Sequence, residues 1–130
     1  MPERRLVLDT CALIWLASDS AQLSDEARAA IDRADTAAVS AISAWEVSLK
    51  AARGALKLPL APREWFEAVV AHHGLDVAAL SVDVLMSANL LPWHHRDPAD
   101  RFIIATARDM GAAVVTGDRR FTQYGLTVLE

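Results

Sequence analysis

Four acidic residues of this sequence follow or adjoin short apolar runs: Asp9, Glu46, Asp100 and Asp118. If the runs are neighbouring parallel strands, their carboxyl ends meet at one edge of a sheet and the four carboxylates gather there. Crowded carboxylates raise each other's pKa, so such a cluster calls for a compensating cation. Carboxylate oxygens suit Mg2+ and Mn2+, and the pattern therefore predicts a divalent-metal site.

Each acid also has an ordinary structural explanation. The segment Ser43-Ala44-Trp45-Glu46 matches a capping box, in which Glu46 would accept from the backbone amide of Ser43. Asp97 suits a helix N-cap and Asp100 suits the first helical turn. Asp9 is harder to explain in this way, because a carboxylate that ends a buried strand is costly without a partner. The set as a whole therefore indicates a site more strongly than any single member.

Arginine supplies most of the positive charge, since the chain has only two lysines and a net charge of −4. Four arginines flank the late acidic positions: Arg96, Arg101, Arg119 and Arg120. The planar guanidinium fork recognises phosphate, which makes these residues candidates for substrate binding. The alternative is that they are surface arginines that balance nearby acids, and both interpretations stand.

Strand-like and helix-like segments alternate along the chain. The strand-like segments are Arg5–Asp9, Thr36–Ile42, Leu75–Leu80, Ala112–Thr116 and Leu126–Leu129. The helix-like segments are Thr10–Ala17, one that starts at Ser24, one from Ser43 to near Gly54, Arg63–His72, Ser81–Leu91 and one from Asp97-Pro98 to Gly111. This alternation predicts an α/β domain with a mainly parallel sheet.

His94 and His95 fall in the loop before the last predicted helix. Adjacent histidines lack the spacing that places two ligands on one helix face, and histidine favours zinc-like metals over Mg2+. We interpret them as solvated loop residues, with substrate contact as the alternative.

The whole chain is typical of a globular protein. Its 130 residues predict one domain, 1–130, and a content of 53% hydrophobic residues excludes a disordered chain. No run of eighteen apolar residues and no secretory signal is recognised, so neither a membrane span nor export is expected. The single cysteine, Cys11, favours a reducing, cytoplasmic setting. No nucleotide-binding loop is present, and an aspartyl-phosphate enzyme is excluded because no lysine follows Lys57.

Several motifs resemble those of the PIN-domain ribonucleases, above all the VapC-type toxins of bacterial type II toxin–antitoxin modules. They are Leu6–Thr10, Ser43–Glu46, Asp97–Ala107 and Val115–Phe121. The resemblance covers essentially the whole chain, and the Asp-Pro-x-Asp-Arg block is its most specific part. It implies a three-layer α/β/α PIN-like domain that hydrolyses RNA phosphodiester bonds with a metal-activated water, using Mg2+ or Mn2+.

The resemblance also assigns roles to particular residues. Asp9, Glu46, Asp100 and Asp118 match the catalytic, metal-binding acids, Thr10 and Thr116 match small hydroxyl residues that line the site, and Asp97 matches a supporting position behind the ligands. It implies an RNA substrate, a homodimer and a cognate VapB-like antitoxin, with which a larger hetero-oligomer forms. The antitoxin tail would lie near the apolar residues Leu13, Ile14, Trp15 and Leu16, whose alternative role is core or dimer surface.

Two other functions are compatible with the same residues. A PIN-like domain that has lost catalysis would act as a binding module, although the complete set of acids argues against it. A DNA-directed nuclease is the other, because metal chemistry alone does not distinguish ribose from deoxyribose.

Overall fold

A computed structural model describes residues 4–130 and contains one five-stranded sheet. The strands are β1 (Arg5–Leu8), β2 (Thr36–Ser40), β3 (Asp76–Ala78), β4 (Ala113–Val115) and β5 (Val128–Leu129). All are parallel, in the order β3-β2-β1-β4-β5. Leu8, the last residue of β1, lies opposite Val39 on one side and Val115 on the other. The carboxyl ends of β1, β2 and β4 therefore reach the same edge of the sheet.

Six α-helices connect the strands in the described part of the chain. They are α1 (Thr10–Ala17), α2 (Asp25–Arg33), α3 (Ala41–Ala52), α4 (Pro62–His73), α5 (Val82–Leu90) and α6 (Pro98–Met110). The predicted α/β architecture with a parallel sheet is confirmed. No helix within residues 4–130 is long and apolar enough to cross a membrane.

Side chains of the central strand alternate between two hydrophobic cores. Leu6 and Leu8 pack on one face of the sheet, with residues of α1, α2 and α4. Val7 packs on the other face, with residues of α5 and α6. Burial on both faces explains why β1 is a continuous apolar run, and the arrangement gives the three layers that the family resemblance implied.

Most helix ends follow local signals in the sequence. The Ser24 and Ser81 side chains cap α2 and α5, and Asp97 caps α6. Gly74 and Gly111 end α4 and α6 in the left-handed conformation, with φ of 63° at both. This conformation is readily adopted by glycine because it has no Cβ.

The start of α3 differs from the prediction. The helix begins at Ala41 instead of Ser43, because Ser40 is the N-cap and accepts from the Ile42 amide at 3.1 Å. Ser43 then lies inside the helix and is fully buried. The capping-box explanation of Glu46 is therefore wrong.

A short 3-10 helix, Arg119–Tyr124, follows β4 and was not predicted. Asp118 is its N-cap and accepts from the Arg120 amide at 3.0 Å. The sequence contains a turn signal at Gly117-Asp118, but six residues of 3-10 helix have no comparable signature. This helix fixes the backbone that directly follows Asp118.

Candidate metal centre

The four predicted acids line one pocket at the carboxyl end of the sheet, and its volume is about 390 Å³. Asp9 directly follows β1, Glu46 lies in the second turn of α3, Asp100 lies in the first turn of α6, and Asp118 is the third residue after β4. Four separate elements therefore supply the carboxylates. Because parallel strands place their ends together, this convergence follows from the topology.

Asp9 is buried and held on both carboxylate oxygens. Its Oδ1 accepts from the Ala12 amide at 2.8 Å and so caps α1, while Oδ2 accepts from the Thr116 hydroxyl. Burial raises the pKa of Asp9, and the charges of Glu46 and Asp118 add to this effect. An ionised Asp9 in this position would be stabilised by a cation in the pocket.

Glu46 is tied to α1 through a chain of hydroxyl groups. The Thr10 hydroxyl donates to Glu46 Oε1 and lies 2.8 Å from the Ser43 hydroxyl. Because the single Thr10 proton goes to the carboxylate, Ser43 must donate to Thr10. Thr10 lines the pocket, whereas Thr116 is fully buried behind it, and each hydroxyl donates to one of the acids.

Asp100 is the most strongly perturbed acid of the site. Its amide donates to Asp97 Oδ1 at 3.2 Å, so Asp97 is the helix N-cap that the sequence predicted. Burial raises the pKa of Asp100 to about 7, and like charges add to the effect, from Asp97, Glu46, Asp9 and Asp118. The protonation of Asp100 is therefore sensitive to any cation that enters the pocket.

The pKa of Asp118 is shifted in the opposite direction. Two nitrogens of Arg120 donate to the Asp118 carboxylate: Nη2 lies 2.7 Å from Oδ2, and Nε lies 3.0 Å from Oδ1. Hydrogen bonds from this guanidinium lower the pKa of Asp118 to about 2. Asp118 is thus ionised across the physiological pH range.

His95 is the principal residue of this site that the sequence interpretation missed. It was expected to be a solvated loop residue, but it is only 2% exposed. Its Nε2 lies 2.9 Å from Asp118 Oδ2 and 3.0 Å from Asp100 Oδ2. The only available signal was its position two residues before the N-cap of α6, which places it beside the helix that carries Asp100.

Lys50 also lines the pocket and was not predicted. It lies four residues after Glu46 on α3, and residues at this spacing share one helix face. That spacing could have identified Lys50 as a cation beside the acids.

Arg101 does not have the role expected from the sequence. It is 3% exposed, and its guanidinium donates to carbonyl oxygens at 2.6–3.0 Å, those of Ala88, Leu91, Pro92 and His95. The ring of Trp93 covers it, with Cζ 3.6 Å from the ring centroid. Arg101 therefore fixes the loop before α6 and is not available to bind a phosphate, whereas Arg96 and Arg119 are exposed.

Two of the residues predicted to lie near the antitoxin tail are in the hydrophobic core instead. Leu13 and Leu16 are buried in the core beneath α1, so the alternative interpretation holds for them. Ile14 and Trp15 are only partly buried, and Trp15 contributes to the wall of the acidic pocket.

With the fold and the pocket described, the chain can be compared with known proteins. The sequence profile of the PIN domain matches residues 6–126, so the chain belongs to the PIN-domain family. Within that family it is 32% identical over 120 residues to Ribonuclease VapC22 of Mycobacterium tuberculosis, which covers 92% of this chain and 91% of that protein. The predicted relationship to VapC-type proteins is confirmed.

Solved structures share the fold at low sequence identity. VapBC2 from Rickettsia felis, bound to a DNA fragment from its promoter, superposes with a TM-score of 0.73 at 14% identity and covers 96% of this chain and 97% of that one. FitAcB from Neisseria gonorrhoeae superposes with a TM-score of 0.67 at 19% identity, over 96% of both chains. These similarities establish the three-layer α/β architecture independently of the sequence motifs.

Proposed function

We propose that this protein is a divalent-metal-dependent endoribonuclease, the toxin of a type II toxin–antitoxin pair. The observation that carries the proposal is the pocket into which four separate elements bring Asp9, Glu46, Asp100 and Asp118. The caps that Asp9 and Asp118 provide do not require four carboxylates in one pocket, and two of the four acids have pKa values raised by their surroundings. The relationship to a protein named as a ribonuclease gives the substrate class.

The residues of the pocket fit Mg2+ or Mn2+. All four acids offer oxygen ligands, which these hard cations prefer. Burial and, after it, neighbouring negative charges raise the pKa of Asp100, and a cation would offset both effects. We assign the most direct contacts to Asp9 and Asp100, with Glu46 and Asp118 completing the ligand set. A bound cation supplies Lewis-acid chemistry, because it lowers the pKa of water and neutralises charge on the phosphate.

The chain's own residues orient the site and bind the RNA. The hydroxyls of Thr10 and Thr116 hold Glu46 and Asp9 by hydrogen bonds. Arg120 is occupied by Asp118, so we assign phosphate contacts to the exposed Arg96 and Arg119 and to Lys50, which lines the pocket itself. Cationic side chains beside the acids would offset the repulsion between an acidic pocket and a polyanion.

We further propose that the protein forms a homodimer through α5. Val82, Met86 and Leu90 are 68%, 66% and 85% exposed and recur every four residues on one helix face. An exposed apolar stripe of this kind marks an interaction surface. A second copy of the chain is the occupant that fits, because the stripe carries no charged residue and a two-fold axis pairs it with itself.

The proposed antitoxin is a VapB-like protein encoded with this chain. Solved structures of the same fold include toxin–antitoxin complexes, such as VapBC-1 from nontypeable Haemophilus influenzae, which has a TM-score of 0.66 and 16% identity and covers 97% of both chains. A basic antitoxin residue would neutralise the acidic pocket, and a larger hetero-oligomer would result. Such a pair would act in the cytoplasm, where its RNA substrate is found.

Incubation of the purified protein with total RNA and, separately, with single-stranded DNA tests the proposal. We expect RNA to be cut at internal positions in Mg2+ or Mn2+, and no cutting once the metal is chelated. Cutting of DNA but not of RNA would identify the protein as a DNA-directed nuclease. Metal-independent cutting, or none with either substrate in both metals, would refute the proposed chemistry and favour a binding module.

A further inference from the structure

We propose that His95 is a positioning residue that holds Asp100 and Asp118 together for the metal. This inference rests on the proposed function and assigns a role to a residue outside the four acids. Its ring nitrogen Nε2 lies 2.9 Å from Asp118 Oδ2 and 3.0 Å from Asp100 Oδ2. The three groups come from the loop before α6, from α6 itself and from the end of β4.

The backbone of His95 is held firmly on both sides. Its amide donates to the Tyr124 hydroxyl at 2.8 Å, and that hydroxyl donates to the Pro92 carbonyl at 2.7 Å. Its carbonyl oxygen accepts from Arg101 Nη1 at 2.9 Å. Phe121 packs edge-on against the imidazole, with ring centroids 5.7 Å apart. The ring therefore has one orientation, which the buried surroundings fix.

The hydrogen-bond network also fixes the tautomer. The Asp97 amide donates to His95 Nδ1 at 3.2 Å, so Nδ1 must carry a lone pair. The proton of the neutral ring then lies on Nε2, which donates to Asp118 Oδ2 and lies 3.0 Å from Asp100 Oδ2. A protonated Nε2 donates and does not ligate, and His95 consequently acts on the carboxylates instead of the metal.

This arrangement prepares the site before a cation arrives. Two carboxylates from different elements repel each other, and a buried N–H donor between them offsets that repulsion and fixes their oxygens. Groups that orient metal ligands in this way contribute strongly to metal affinity, and their loss typically weakens it about 10- to 100-fold. A histidine that merely fills the core would contribute to stability without changing the affinity for metal.

Three variants separate the two roles. His95→Leu replaces the imidazole with an apolar side chain of similar bulk and so removes the donor. His95→Gln keeps an N–H donor near the position of Nε2. His95→Asn is the matched amide control, because its shorter side chain places the amide near Nδ1, away from the carboxylates. The measurement is the Mn2+ dissociation constant, from the electron paramagnetic resonance signal of free Mn2+, well below the melting temperature of each variant.

We expect His95→Leu and His95→Asn to bind Mn2+ about 10- to 100-fold more weakly than the wild type, and His95→Gln to stay close to it. Equal Mn2+ affinity of the Gln and Asn variants would overturn the inference, even if His95→Leu does not fold. A folded His95→Leu protein with wild-type affinity would also overturn it. If the wild type itself binds no Mn2+, the proposed function fails as well, so the two failures are distinguishable.

Discussion

Three of the four acids of the pocket accept hydrogen bonds from neighbouring side chains. Asp9 and Glu46 accept threonine hydroxyls, and Asp118 accepts the Arg120 guanidinium. These contacts fix the carboxylates and leave them unequal in proton affinity, since burial raises the pKa of Asp9 while Arg120 lowers that of Asp118. Changes at single residues should therefore affect cleavage, stability and pH dependence in separable ways.

The substitution Asp9→Asn should abolish RNA cleavage while the fold is retained. It removes a candidate metal ligand with little change in volume, and the amide oxygen can still cap α1. The thermal stability of the metal-free variant should equal or exceed that of the wild type, because the buried charge is gone. The matched control is Asp109→Asn, an exposed acid on α6, which should cleave normally. Normal cleavage by Asp9→Asn in Mg2+ would refute the assignment.

Asp100 should make the metal-free protein less stable as the pH rises from about 4 to about 7. Its pKa is raised from an ordinary value of 3.8 to about 7, so the folded state holds a proton that the unfolded state releases. The unfolding free energy therefore falls across this pH range, and the loss of stability is complete above it. Asp118 acts in the opposite direction, because its stabilisation is lost only as the pH falls towards 2.

Urea unfolding in the presence of a chelator, between pH 4.5 and 7.5, measures this slope. The Asp100→Asn variant is the comparison, and it should lose the part of the slope that Asp100 contributes. Identical slopes in the wild type and the variant would contradict the assignment of the raised pKa to Asp100.

At the scale of elements, the loop between α5 and α6 carries the largest difference between sequence and structure. Arg101 looks like a phosphate ligand in the sequence because it adjoins Asp100, yet its guanidinium donates to carbonyl oxygens of the loop and of the end of α5. A buried guanidinium that satisfies several carbonyls holds a loop in one conformation. Because His95 belongs to this loop, Arg101 contributes to the geometry of the metal centre without touching it.

The substitution Arg101→Ala should destabilise the protein by about 3–5 kcal/mol, because it leaves buried carbonyl oxygens without donors. Arg108→Ala is the matched control on the same helix, where an exposed arginine near the C-terminus should cost less than about 1 kcal/mol. Chemical denaturation of both variants measures the difference. Similar small losses in both would mean that the Arg101 contacts contribute little.

The sequence predicts those parts of the fold that depend on local signals. The Asp97 cap, the glycines that end α4 and α6, and the acids after β1 and β4 are all recognisable from neighbouring residues. The burial of His95 and Arg101 is not, since it depends on α5, α6 and the 3-10 helix closing around a loop. Ser40 illustrates the intermediate case, where two serines three residues apart compete as N-cap and packing decides between them.

At the scale of the whole molecule, the pocket and the α5 stripe belong to different elements. The pocket involves the ends of β1 and β4 with α1, α3 and α6, and the stripe involves only the outer face of α5. No residue of the stripe lines the pocket, and we propose that a dimer formed through α5 leaves each pocket accessible to RNA. We propose that residues 1–130 act as one domain in which cleavage and association are separate properties.

The double substitution Met86→Glu with Leu90→Glu should convert the proposed dimer to a monomer. Two buried glutamates facing their symmetry copies would cost more than an apolar interface of this kind supplies. Light scattering coupled to gel filtration measures the mass. Leu60→Glu, the same kind of change at an exposed leucine outside α5, is the control and should remain dimeric. A double variant that stays dimeric would place the interface elsewhere.

The central position of β1 has a consequence for synthesis of the protein. Asp9 is synthesised about 100 residues before β4, the strand that precedes Asp118, and β4 must insert beside β1 after all the other elements between them have been made. A nascent chain that stops before β4 has Asp9 and Glu46 but lacks the last carboxylate and the Thr116 hydroxyl. The growing polypeptide would therefore lack the complete acidic pocket until Asp118 has been synthesised and β4 has inserted beside β1.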